Sequence, residues 1–169
     1  MRWVTRRHAH IDRTACPWLI RRFIDPAAEF VFVPAGTDPA TVDGIPFDMR
    51  GAALGHRQGR CTFETFLARY GLTSDAALVE MGRILREADV PPVRVHRPEA
   101  AGVDAIVSGL RLTTPDDQEK LRLTAPLYDA LYAYCQRKLA QQPAGDGRVR
   151  PRLRYLQRVQ AHFDEDELD

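Results

Sequence analysis

The sequence predicts an α+β fold, mainly helical, with a small three- to four-stranded sheet packed by helices. Three observations lead there. The clearest extended segments, rich in β-branched and aromatic residues, lie in the chain before Thr62. From Thr62 onward the apolar residues recur at helical spacing. The length, 169 residues, suits one domain large enough to bury a core without staples.

Arg2 to Thr5 (RWVT) reads as a short opening strand. A helix is expected from about Thr14 or Ala15 to Ile24, with Asp12 or Thr14 as N-cap and Pro17 in the first turn, where a missing N–H matters least. Leu19 with Phe23 and Ile20 with Ile24 form i,i+4 apolar pairs, and Asp25-Pro26 ends the helix. Glu29 to Val33 (EFVFV) is the clearest strand, followed by a loop over Pro34 to Gly44. Ile45 to Met49 and His56 to Thr62 each offer a further short strand.

Beyond this point helices take over. Thr62 caps one to about Tyr70, with Gly71 closing it, and Ser74 caps another to Ala88. Pro91-Pro92 breaks the chain before a short extended piece at 93–95. Helices then cover Pro98 to Leu112 and Asp116 to Ala140, the last expected to kink or divide at Pro126. Residues 1–140 form the predicted domain. Residues 141–169 hold a Pro/Gly linker, a basic amphipathic helix near 150–163 and an acidic tail, either within the same domain or as an appendage.

The 24 basic and 23 acidic residues nearly cancel, so no global charge points to nucleic acid or an anionic membrane. The three cysteines, an odd number at irregular spacing, read as reduced thiols in a cytoplasmic protein rather than a disulfide framework. No apolar run approaches the roughly 20 residues of a membrane span, and polar residues follow the basic N-terminus where a signal peptide has its apolar stretch.

Two segments, His8 to Pro26 and Pro46 to Glu64, concentrate the chemistry. In an extended His8-Ala-His10-Ile-Asp12, side chains two apart face one side. His10 and Asp12 there, with Asp48, His56 and Cys61 from the second segment, are the candidate ligands for a divalent transition metal: zinc, manganese or iron. The other reading is an ordinary set of caps and salt bridges, with Asp12 capping a helix and Glu64 favoured by a helix dipole. Cys16 and Glu64 are the candidate catalytic groups. A helix-start position and nearby Arg13 would make Cys16 a thiolate, whereas burial beside Pro17 and Trp18 would make it structural. Arg13, Arg21 and Arg50 are the candidates for holding an anion. Asp116-Asp117 reads first as a helix cap and second as a ligand pair.

The segments IDRTACPWLIRRFIDP, EFVFVP, PFDM with GHRQGRCTFE, and YDALYAYC resemble the C-terminal domain of the chromate resistance protein ChrB, from about Trp3 to Cys135. Asp12, Arg13, Cys16, Asp48, His56, Cys61 and Glu64 match that pattern. His10 matches the branch that reads H-x-D-R, and Gln118 stands where the family often has His. In that family the domain often follows a winged-helix-like DNA-binding part, occurs alone, or is fused to a sulfurtransferase domain. This chain looks like the stand-alone form, so nucleic-acid binding is not expected of it.

The resemblance implies a role in chromate or oxidative-metal resistance. The first expectation is a cytoplasmic domain that binds a metal ion or chromate oxyanion between the two segments. The alternatives are a metal-dependent enzyme at the same pocket, redox or hydrolytic, with removal of reactive oxygen as one form, and a partner-binding domain acting through the basic C-terminal helix. A homodimer is left open.

Overall fold

The computed structural model describes residues 1–90 and 97–141. The order of elements is β1 (Arg2–Arg6), α1 (Ile11–Leu19) running into a π-helical turn (Ile20–Ile24), β2 (Glu29–Val33), β3 (Ile45–Pro46), α2 (Thr62–Arg69), α3 (Ala76–Asp89), α4 (Glu99–Thr113) and α5 (Asp117–Ala140). The architecture is the expected mainly helical α+β arrangement with a three-stranded sheet.

The sheet has the order β2-β1-β3, and both pairings are parallel. Trp3 lies opposite Phe30 in β2 and Ile45 in β3, so β1 is the central strand. A parallel pair needs a crossover, and α1 supplies it between β1 and β2. Gly44 precedes β3 at φ 143°, and a Cβ there would meet the Arg2 carbonyl oxygen at 2.8 Å, so only glycine lets the two backbones approach.

The stretch 56–62 is not a strand. Gln58 (φ 51°) and Gly59 (φ 75°) both take left-handed backbone and fold the chain into a tight turn, with Arg57 and Arg60 exchanging backbone hydrogen bonds at 3.1 and 2.9 Å. The first helix begins earlier than the capping residues predict. Its N-cap is His10, and Asp12 and Thr14 lie within it. Pro17 therefore sits in the interior, where its ring replaces the N–H that would bond the Arg13 carbonyl. Soon afterwards the helix loosens into the π turn, closed by a bond from the Asp25 N–H to the Ile20 carbonyl at 2.7 Å.

Cap positions elsewhere shift by one residue. Cys61, not Thr62, is the N-cap of α2, and Asp75, not Ser74, caps α3 by accepting from the Ala77 and Leu78 amides. Pro126 does not divide α5, which runs unbroken through 24 residues from the Asp116 cap. The 93–95 piece, the linker and the basic C-terminal helix lie outside the described residues.

One apolar core joins the sheet to the helices. Trp3, Phe47 and Phe66 meet edge to face or tilted at 5.8–6.4 Å between ring centres. Each is fully buried, which is worth roughly 1.5–3 kcal/mol per large apolar side chain. Trp18, Phe23 and Tyr132 form a second aromatic group between α1 and α5. α3 lies at the centre of the helical layer, packed against α2, α4 and α5.

Candidate functional site

The sheet's strand order creates the position of the site. The chain leaves β1 for β2 on one edge through α1, and β3 later pairs on the other edge. In open parallel sheets the segments leaving two such strands diverge, and the crevice outside their carboxyl ends is where ligands bind. Here the segment after β1 delivers Asp12, in the first turn of α1, and the residue pair after β3 delivers Asp48.

Asp12 is 1% exposed. Its carboxylate caps a helix that is not its own, accepting the Thr62 N–H at 2.6 Å and the Phe63 N–H at 3.2 Å at the start of α2. Asp48 has left-handed backbone (φ 47°), which an aspartate tolerates better than most side chains. It accepts the Thr62 hydroxyl at 2.7 Å. Arg13 and Arg6 approach its other oxygen at 3.5 and 3.6 Å.

The His56 imidazole stands among three carboxylates. Its Nε2 lies 3.1 Å from Asp12, 3.2 Å from Asp89 and 3.5 Å from Asp48. The hydrogen bond to Asp12 favours the protonated ring and raises its pKa to about 9, with the charges of Asp12, Asp48 and Asp89 adding to the effect. The acids respond in the opposite sense to ordinary ion pairs. Burial, then the Asp12 and Asp48 charges, push Asp89 up to about 6, and burial, then the Asp12 charge, raise Asp48. Burial is the largest cause of both shifts, and the charges of His56 and Arg13 offset it only in part.

Asp12, His56 and Asp89 each offer one ligand atom, and the three atoms lie within 4.8 Å of one another. Tetrahedral zinc with bonds of 2.0–2.1 Å separates its ligand atoms by about 3.3 Å. The His56 distances to Asp12 and Asp89 match that spacing, so the donor set fits an ion of this size. The site is open on one side, with the His56 side chain 43% exposed.

Of the residues expected from sequence, Asp12, Asp48, His56 and Arg13 come together, and others do not join them. His10 turns toward α4, with Nε2 at 3.1 Å from the Ser108 hydroxyl and 3.2 Å from Asp104, and burial, then Arg111, lower its pKa. Cys61 is buried as the α2 N-cap with its Sγ directed at the Gly82 carbonyl (3.8 Å), and burial, then Asp12, push its thiol far up. Glu64 accepts the Cys61 N–H at 3.1 Å and pairs with Arg86 at 3.3 Å, so it closes the start of α2. Gly82 lets it pack there, since a Cβ would stand 3.1 Å from the Glu64 Cγ.

The helix-start thiolate expected at Cys16 is corrected by the structure. With α1 beginning at Ile11, Cys16 is in mid-helix and fully buried, and burial, then Asp12, raise its pKa well above that of a free thiol. Arg21 lies over the Phe30 ring at 4.9 Å, away from Asp12 and Asp48, and Arg50 is exposed. The Asp116-Asp117 pair is structural: Asp116 caps α5, and Asp117 accepts the His8 and Ala9 amides, both at 2.9 Å, and holds Lys120 at 2.8 Å.

Asp89 was missed by sequence reasoning. It is the last residue of α3, and an acid at a helix C-terminus opposes the macrodipole. That misplaced charge was the available signal.

Comparison with known proteins identifies the family of the chain. Residues 3–135 match the family described as ChrB, C-terminal domain. The chain is 38% identical over 132 residues to Protein ChrB of Cupriavidus metallidurans, covering 78% of this chain and 40% of that relative. It thus spans about two fifths of the relative's length. No solved structure matches it. On the match across residues 3–135, the chain belongs to the ChrB C-terminal domain family.

Proposed function

We propose that this domain binds one divalent transition-metal ion through Asp12, His56 and Asp89, with Asp48 beside them, and that this centre serves chromate or oxidative-metal resistance. The observation that carries the reading is the convergence of three ligand atoms from three separate segments within 4.8 Å. Hard carboxylate oxygens with one imidazole suit manganese, iron or zinc, and the Cys61 thiol, which would select a softer metal, points to the Gly82 carbonyl. When bound, such an ion supplies Lewis acidity and lowers the pKa of a coordinated water. Asp12 is held rigid by the α2 amides, Asp48 by Thr62, and Arg13 places a positive charge at the rim.

The exposed side of His56 favours a second reading, a metal-dependent enzyme at the same centre, because a catalytic ion needs one position open to substrate. An anion pocket built from Arg13 with Arg21 or Arg50 is not part of the proposal, since Arg13 alone of the three contacts the acidic centre.

Elemental analysis of protein purified without a metal-affinity tag tests the core claim, with about one ion per chain expected. Absence of metal in such protein, together with no calorimetric binding of zinc, manganese or ferrous iron, would overturn it. Growth of a chromate-sensitive host carrying wild type or His56→Ala links the centre to resistance. Equal protection by both would sever that link.

A further inference from the structure

A cavity of about 230 Å³ lies between α1, the π turn and α5, on a different part of the molecule from the acidic centre. Its floor is apolar, built by Pro17, Leu121 and Ala125, with Trp18 on one wall. The polar groups at its edge differ in how they are engaged. Asp129 accepts the Trp18 indole N–H at 2.9 Å and pairs with Arg22 at 3.6 Å. Arg21 is held over the Phe30 ring at 4.9 Å, and among the described residues no carboxylate pairs with it.

The backbone supplies an independent observation. Arg21 and Arg22 lie in the π turn Ile20–Ile24. Single π turns are rare and occur often at functional sites, because the wider turn moves side chains out of helical register. Here the irregular turn sets two adjacent guanidiniums at the mouth of the cavity, one committed to Asp129 and one without an acid partner among the described residues.

We propose that this cavity binds a small organic monoanion without a metal, its apolar body against Pro17, Leu121 and Ala125 and its acid group on Arg21. The volume admits one six-membered ring and a carboxylate, below the roughly 300–1,000 Å³ of drug-sized sites, so affinity is expected in the millimolar range. Guanidinium and carboxylate pair through two parallel N–H bonds, which makes the acid group the larger determinant.

Benzoate is the probe, with benzyl alcohol as the uncharged control of similar shape. The chain has two tryptophans, so two indole N–H signals report the titration by NMR, and a Trp18→Phe variant assigns them. Benzoate should move the Trp18 signal saturably and leave that of Trp3 in place. Arg21→Gln, at an exposed position, should weaken binding about tenfold, while His56→Ala should leave it unchanged. No saturable shift, equal binding of benzyl alcohol, or unchanged affinity in Arg21→Gln would overturn the proposal. None of these outcomes bears on the metal centre.

Discussion

Two clusters of three carboxylates stand on opposite sides of α3, and they are built to different ends. In one, Glu80, Glu87 and Glu99 are matched by strong cations. Arg97 binds Glu80 through Nε and Nη2 at 3.2 and 3.3 Å and Glu87 at 3.1 Å, and Lys138 reaches Glu99 at 2.9 Å. Burial works against the charged Glu99, yet bonds from the Tyr134 hydroxyl and Lys138 overrule it and hold the carboxyl down to about 2. In the other, Asp12, Asp48 and Asp89 share one imidazole, and the arginines reach Asp48 only at 3.5 and 3.6 Å. There Asp48 and Asp89 are pushed up. The number of acids is the same. What separates a clamp from a candidate centre is whether hydrogen-bonded cations match the acids closely enough to outweigh burial, and the direction of the carboxyl pKa shifts records it.

The largest expected effect falls on the unmatched cluster. Asp89→Asn or His56→Ala should lower metal affinity at least a thousandfold, about 4 kcal/mol, with the far-ultraviolet spectrum preserved. Calorimetry with zinc and manganese measures this. Arg97→Met, in the matched cluster, should leave that affinity untouched, and a loss there would erase the distinction between the clusters.

Stability should show the reverse pattern. Arg97→Met takes the bidentate guanidinium away from two nearly buried glutamates, leaving Glu80 with Lys138 and Arg83, and is expected to cost about 3 kcal/mol in urea denaturation. Asp89→Asn in metal-free protein relieves like-charge crowding and should be neutral or stabilising by up to about 1 kcal/mol.

The pH dependence sharpens the contrast, because the two clusters have opposite slopes. His56 is raised from 6.5 to about 9, so its contribution to metal-free stability is complete below pH 6.5 and is lost as pH rises through 9. Asp89, raised from 3.8 to about 6, also favours the folded state at lower pH and loses that contribution as pH rises through 6. Glu99, lowered from 4.5 to about 2, contributes fully above pH 4.5 and loses its contribution as pH falls toward 2. His56→Asn should flatten the alkaline limb of a stability–pH profile and Glu99→Gln the acid limb. A shared effect of both variants on one limb would contradict the assignment.

The smallest effect is expected at the thiols. Cys16, Cys61 and Cys135 are all buried, and burial pushes Cys135 up to about 12. All three should resist alkylation at pH 8 until urea unfolds the chain. Rapid native labelling of Cys16 would restore the thiolate expectation.

Local pattern made much of this legible. The strand EFVFV, the helical period after Thr62 and the Asp116 cap all depend on neighbours in sequence. The convergence of Asp12, Asp48 and His56 was legible as well, because each sits where an extended piece meets a turn or helix. Three features were not. The start of α1 was misplaced because His10 caps it without a side-chain bond, while the more obvious capping residue, Asp12, is used by α2. His10 was grouped with Asp12 on strand spacing, but the chain turns helical between them and their side chains part. Asp89 joins only through the packing of α3 against α1 and α2, which no sequence window contains.

The cap that Asp12 places on α2 ties the centre to an observable that needs no ligand and no variant. Amides at a helix start lack internal partners and ordinarily exchange their hydrogens with water readily. The Thr62 and Phe63 amides are instead held by a carboxylate fifty residues earlier in the chain, on a different helix. Their protons can leave only when α1 and α2 separate at this point. Exchange at these two amides is therefore a clock for the opening of the crevice, running in the native protein and readable one proton at a time.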